Sequence, residues 1–335
     1  MSCPSLSSSL VYVIPLVITL GACSATDSVP APESAEVSAG PSGSEASSTE
    51  RVDFQAELPP APPSEVGTFV PPPRDSLPDG PFGEAVRRGE AIFTDTPAHA
   101  GSFLGNQLSC VNCHLDAGRR ADSAPMWAAW VSYPAYRKKN DRVNSMEERI
   151  QGCFTYSMNA GASPTGDAPE AADPLITDLS AYFFWLASAA PTGVSLPGRG
   201  YPRLAPPPQG WDIERGAQVY ADRCAICHGD DGVGQVDSAG APAFPALWGP
   251  QSFNWGAGMH RVNTSAGFIF ANMPLGQART LSEQQAWDVA AYINSQPRPA
   301  DPRQTGTVEE ADERFHQHDC RYGDAGPERQ LGERG

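Results

Sequence analysis

Apolar positions fall into a repeated pattern along the middle of this 335-residue chain. Residues 85–93 place Val86, Gly89, Ile92 and Phe93 at helical spacing, which predicts a helix there. Residues 213–220 repeat the pattern, and both segments contain Arg-Gly-x-x-Ile/Val-aromatic. A second echo follows further on. Leu179-Ser180-Ala181-Tyr182-Phe183 matches Val289-Ala290-Ala291-Tyr292-Ile293, each within a strongly periodic stretch. The second of these opens on Ser282-Glu283-Gln284-Gln285, a capping box with Ser and Gln three apart. Glycine at 89 and 216 predicts a close helix–helix approach that a bulky side chain would prevent; a glycine that merely weakens its helix is the plainer alternative.

The flanks read differently. Residues 10–20 are an apolar run too short to span a bilayer comfortably, and match the central region of a secretory signal. Leu20-Gly21-Ala22-Cys23 resembles the bacterial lipoprotein cleavage box, in which Cys23 becomes the acylated N-terminus. Residues 1–9 carry no Lys or Arg, a departure from the usual positive start; a plain secretory signal with an incidental cysteine is the alternative. Residues 23–81 are rich in Ser, Ala, Glu and Pro and cannot bury enough apolar surface to offset chain entropy, so they read as a disordered tether. Pro-rich residues 197–210 form a natural seam, and the stretch beyond Gln296 is polar, expected to lie over a domain surface or to be partly disordered. The expected organisation is 1–22 signal, 23–81 tether, 82–200 and 201–297 two domains, and 298–335 a polar extension.

Charge sharpens this division. Of the formal −16, residues 23–81 hold ten acids against two bases, and residues 298–335 hold nine against six. The middle is nearer balance, and nothing suggests a nucleic-acid partner, which wants a basic face.

The chemistry lies just after each first helix. Cys110-Val111-Asn112-Cys113-His114 and Cys224-Ala225-Ile226-Cys227-His228 are both C-x-x-C-H, the pattern that attaches c-type haem. Two thiols one helical turn apart can bond the two vinyl groups, and the following imidazole ligates iron. A zinc or redox dithiol would not need the same signature twice with no nearby Cys/His pairs to complete a zinc site. Two covalently bound haem c groups are expected, with His114 and His228 as iron ligands. Helix, motif, loops and helix, twice over, resemble two class I cytochrome c domains in tandem, an all-α fold. Eight cysteines fit an oxidising compartment outside the cytoplasm.

The sixth ligands follow from position. Met273, in Asn272-Met273-Pro274-Leu275-Gly276, sits in a loop that can deliver a thioether to the second iron; Met259 and His260 are its rivals. The first haem lacks an equivalent. Met126, Met146 and Met158 are available there, as is Cys153, thirty-nine residues beyond His114. A buried apolar role for Cys153, or a disulfide to Cys320, stays open on spacing alone.

The segment Glu148-Arg149-Ile150-Gln151-Gly152-Cys153-Phe154-Thr155-Tyr156-Ser157-Met158-Asn159 carries a more specific likeness. With the tandem motifs, Phe244 to Pro250, Gly256 to Arg261 and Ala271 to Gly276, it resembles the dihaem thiosulfate dehydrogenases over roughly residues 82–300. The resemblance implies His114/Cys153 ligation of a catalytic haem and His228/Met273 ligation of the second. It further implies that Arg149 and Ser157 face the substrate, and that two thiosulfates are oxidised to tetrathionate with electrons passing from the first haem to the second and on to an external acceptor. Family members often carry a lysine before the ligand methionine, where this chain has Asn272. Arg149, one helical turn before Cys153, suits binding of a dianion. Within Arg137-Lys138-Lys139-Asn140-Asp141-Arg142, Arg142 is the second cation expected at the site, and Lys138 and Lys139 read as a solvated charge run. The same site run in reverse, as a tetrathionate reductase, and a non-enzymatic dihaem electron carrier are the alternatives. Expected partners are a small cytochrome or other periplasmic acceptor and, through the lipid anchor, a bacterial membrane faced from its periplasmic side.

Overall fold

Seven helices of eight or more residues carry a computed structural model of the chain, in which residues 68–334 are described, apart from 239. In order they are α1 (Gly80–Thr94), α2 (Met146–Tyr156), α3 (Pro174–Leu186), α4 (Ile213–Arg223), α5 (Val262–Asn272), α6 (Glu283–Asn294) and α7 (Val308–Phe315). Strands are few and short among the described residues: a hairpin of β1 (Ala135–Arg137) with β2 (Arg142–Asn144), and another of β3 (Gln235–Val236) with β4 (Pro242–Phe244). The signal, the tether up to residue 67 and Cys23 lie outside the described residues.

Each half is built on one pair of crossed helices, α1 with α3 and α4 with α6. The glycines explain how they meet. A Cβ on Gly89 would run into the Asp178 carbonyl of α3, and one on Gly216 into the Asp288 carbonyl of α6. Both backbones therefore approach at a point where no other residue fits. The preceding arginines reinforce the crossing: Arg88 Nε and Nη2 donate to the Asp178 carboxylate at 2.7 and 2.8 Å, and Arg215 Nε and Nη2 to that of Asp288 at 2.8 Å each.

Around these pairs two apolar cores form. Val86, Phe93, Trp127, Ile150, Phe154, Ile176, Leu179 and Tyr182 fill the first. Tyr220, Val262, Ala266, Trp287, Val289 and Ala290 fill the second, with Tyr201 and Leu204 of the seam and the following Trp211 packed against it. The C-terminal stretch is more ordered than its polar composition predicts. Thr307 and Glu310 form a capping box at the start of α7, and Val308, Ala311, Tyr322 and Leu331 bury a third small core against Trp255. Trp255 lies before α5, so a few well-spaced apolar residues fasten the extension to the second half.

Candidate functional site

Both haem motifs wind as a tight turn, the first after the loop 104–109 and the second directly at the end of α4. His114 N–H donates to Cys110 O at 3.0 Å, and His228 N–H to Cys224 O at 3.0 Å, which sets each thiol pair on the turn leading into its imidazole. Ser109 and Asn112 cap the first turn reciprocally, and Thr96 Oγ1 accepts from Cys110 N–H at 3.2 Å. The Nδ1 of His114 lies 2.8 Å from Ala124 O, and that of His228 2.9 Å from Pro245 O. A carbonyl at Nδ1 takes its proton and leaves Nε2 as the metal-binding nitrogen. The first thiol pair is not poised as a redox dithiol. Burial pushes Cys110 up to about 12, and Cys113 and Cys224 up to about 11, whereas an exchanging dithiol needs one depressed thiol. Free thiols and oriented imidazoles together fit covalent haem c at both places.

The Arg149–Cys153 pair stands beside the first motif. Ser145 and Glu148 form a capping box that fixes the start of α2. Arg149 and Cys153 are then one turn apart on one face, and Arg149 Nη1 donates to Cys153 Sγ at 3.3 Å. Cys153 is close enough to Cys110 and Cys113 that its charge would raise both thiols. Arg149 in turn helps to keep His114 neutral, at about 4, a value set first by burial. Facing Cys153, with Tyr133 and Tyr201 nearby, holds the guanidinium charged although it is desolvated. Ser157 closes α2, its N–H on Cys153 O at 2.8 Å and its own carbonyl held by Asn106 Nδ2 at 2.8 Å.

Other expected residues fall elsewhere. Arg142 is exposed on β2, where its guanidinium pairs with Glu148 at 2.8 Å. Met126, Met146 and Met158 are all taken up in the first core. Cys153 and Cys320 are both free, so the disulfide alternative does not hold; Cys320 lies against His316 instead. Met273 directly follows α5, half-buried at the margin of the second core, its N–H on Ile269 O at 2.8 Å. Its rival His260 is turned away to Ala257 O and His318, while Met259 borders both cores.

Lys139 is the residue that sequence reasoning missed. The tip of the β1–β2 hairpin carries its Nζ over the Tyr156 ring, 3.2 Å from the centroid, and onto the Gly256 carbonyl. Burial, then the Arg303 and Arg149 charges, lower it to about 6. Arg303, from the extension, lies over the other part of that site, 5.5 Å from the same ring. A charge run read locally looks solvated; this lysine is covered by Tyr156 from the next helix and by Gly256 and Arg303, more than a hundred positions away.

Comparison with known proteins agrees with this architecture. Sequence models of SoxA/TsdA cytochrome c domains and of cytochrome c match residues 89–186 and 213–297 respectively. Thiosulfate dehydrogenase of Stutzerimonas stutzeri (strain A1501) is 53% identical over 75% of this chain and 80% of its own length. That of Thiomonas intermedia (strain K12) is 49% identical over 78% and 83%. The as-isolated thiosulfate dehydrogenase (TsdBA) of Marichromatium purpuratum superposes with a TM-score of 0.74 at 56% identity, over 76% of this chain and 55% of that one. With two C-x-x-C-H turns on two cytochrome c domains and these relatives, the chain belongs to the thiosulfate dehydrogenase family and carries two covalent haem c groups.

Proposed function

We propose that this chain oxidises thiosulfate, joining two molecules through their sulfane sulfurs into tetrathionate with release of two electrons. The Arg149 guanidinium held on the Cys153 thiol beside the first haem motif carries this reading. Cys110 and Cys113 would hold the first haem covalently, with His114 and Cys153 on its iron. Cys224 and Cys227 would hold the second, with His228 and Met273 on its iron. When bound, the two haems supply one-electron acceptors for the pair of electrons and pass them to an external acceptor, a small cytochrome or other periplasmic carrier.

The chain's own residues do the rest. Arg149 binds and orients the dianion through charge-assisted hydrogen bonds. Ser157, at the end of the same helix, would face it. Cys153, as thiolate, forms an S–S bond to the sulfane sulfur of the first thiosulfate as two electrons leave. The second thiosulfate attacks that sulfur, releases tetrathionate and returns Cys153 as thiolate. Arg142, engaged with Glu148 at the surface, would act on the approach of anions rather than in contact with them.

Cys153→Ser tests this directly. Both haems should stay attached, the first haem's low-spin spectrum should change, and thiosulfate-dependent ferricyanide reduction should vanish. Arg149→Ala should keep the haem spectra and lose roughly one to two decades in kcat/KM, the cost of one charge-assisted contact. A fully active Cys153→Ser protein would leave a dihaem electron carrier in place of the enzyme.

For location, the reading is a periplasm-facing protein anchored through Cys23, which the acidic, Pro-rich tether would hold off the bilayer. Labelling with a radioactive fatty acid should mark the wild type and spare Cys23→Ser. Equal labelling of the two, or none, would discard the anchor.

A further inference from the structure

A second group of metal-binding side chains lies apart from both haem motifs. His260, His316, His318 and Cys320 each offer one donor atom, all four atoms within 4.8 Å of one another. His260 and His316 are buried and the other two half-buried. His260 Nε2 and His318 Nε2 are 2.8 Å apart, and Cys320 Sγ is 3.9 Å from His316 Nδ1. In a tetrahedral zinc site, bond lengths of about 2.0–2.1 Å to nitrogen and about 2.3 Å to sulfur put neighbouring nitrogens about 3.3 Å apart and a nitrogen about 3.6 Å from sulfur. These two separations straddle those values, and closing the widest of the set, at most 4.8 Å, by about an ångström would seat an ion.

The surrounding groups fix which nitrogens face inward. His260 Nδ1 is engaged by Ala257 O, which leaves Nε2 toward the cluster. His316 Nε2 is engaged by the buried Asp301 carboxylate at 3.0 Å, which leaves Nδ1 toward Cys320. Carbonyl and carboxylate partners on the outer nitrogen are how ligating histidines are oriented. Asp301 is itself held by Arg303. Two imidazole nitrogens confront each other at hydrogen-bond distance inside the protein, a contact that needs either a shared proton or a cation between them. Three imidazoles and one thiol form a closed set of four, without an open position for substrate.

We propose that these four side chains bind one structural zinc ion. Its ligands join two parts of the chain. His260 stands just before α5, and His316, His318 and Cys320 follow at every second position after α7, through a tight turn in which His318 N–H donates to His316 O at 2.7 Å. Val262 N–H on Asp319 O at 3.0 Å and the bridge between Arg261 and Cys320 already align these segments. Zinc there would staple the C-terminal extension to the second cytochrome domain and, through Asp301, fix Arg303 near Tyr156 and Lys139. Imidazole with thiolate suits zinc, and four protein ligands distinguish a structural ion from a catalytic one.

The test uses the full-length holoprotein, purified without a polyhistidine tag, with zinc and iron measured together by mass spectrometry. The expected content is about one zinc per two haem irons, falling below about a tenth of that in Cys320→Ser and in His318→Gln. Absorption spectroscopy at the zinc edge should find one sulfur at about 2.3 Å among nitrogens at about 2.0–2.1 Å. Haem content and circular dichroism equal to wild type show that the variants are folded. Wild-type protein stripped with dipicolinate and titrated with zinc sulfate gives an arm independent of any substitution, and should take up one equivalent. Zinc-free wild type that takes up none, zinc retained by either variant, a shell without sulfur, or stoichiometric copper in its place would each overturn the assignment.

Discussion

Lys139 and Arg142 stand at opposite ends of one hairpin turn, and their fates reverse the reading of the charge run that contains them. Arg142, expected at the site, is solvated and paired with Glu148. Lys139, expected in solvent, is covered by Tyr156 and Gly256. Arg149 and Cys153 were legible because i and i+4 on a helix are neighbours by construction; a lysine buried by residues 156, 256 and 303 has no local signature. Its environment yields a kinetic prediction. Burial and the Arg303 and Arg149 charges lower Lys139 to about 6, so it is neutral at pH 7 and gains its proton as pH falls. Thiosulfate remains a dianion over this range. The kcat/KM for thiosulfate should therefore rise as pH drops through about 6, by roughly tenfold if the new ammonium makes one charge-assisted contact. Lys139→Met should flatten that limb while retaining both haem spectra. A slope unchanged in the variant would assign the titration to another group.

The helices carry the internal repeat more fully than their sequences announce. Gly89 and Gly216 were readable as points of close approach, and each does meet a carbonyl of its partner helix. The ion pairs beside them were not read, although Asp178 and Asp288 directly precede the matching segments: Asp-x-x-Ala-Tyr recurs, with each acid receiving the arginine ahead of the glycine. The capping box at Thr307 was overlooked because charged residues dominate the extension's composition, yet three or four apolar side chains suffice to dock it. Helix α5 bears on the second iron. It ends at Asn272, so Met273 is the first residue released from helical constraint, and Pro274 prevents the helix from resuming. His260 is committed elsewhere, which leaves Met259 as the competing ligand. Met273→Gly should leave haem attached at Cys224 and Cys227, abolish the weak sulfur-to-iron charge-transfer band of the oxidised protein, and lower that haem's potential. Survival of the band would move the ligand to Met259.

At the scale of the whole molecule, the separation of an acidic tether and tail from a nearly neutral middle was plain in the charge distribution, whereas the interface between the two halves was not. It is stitched by amide side chains onto backbone carbonyls, contacts that leave no periodic trace. Three asparagines, each no more than 2% exposed, make them. Asn106 Nδ2 reaches Ser252 O at 3.1 Å, Asn254 Nδ2 reaches Thr155 O at 2.9 Å, and Asn272 Nδ2 reaches Asp122 O at 2.9 Å. Arg279 adds an ion pair to Asp122 at 2.8 Å, and Tyr201 a hydrogen bond to Cys113 O at 3.3 Å. The bonds from Asn254, Asn272, Arg279 and Tyr201 land on the end of α2, the loop after the first haem motif and the motif itself, so the second half helps to shape the first half's site. Two domains so joined should unfold together. Leucine at 272 or 254 fills similar space but strands a buried carbonyl, at about 1–3 kcal/mol for each. The combined Asn254→Leu, Asn272→Leu holoprotein should melt lower by several degrees, on the order of 2–4 °C per kcal/mol for a unit of this size. Its single calorimetric transition should broaden or split as the domains uncouple, with each haem's attachment unaffected. A double variant that melts as one sharp transition at the wild-type temperature would show that these asparagines do not couple the halves, and that apolar contacts across the interface carry the load instead.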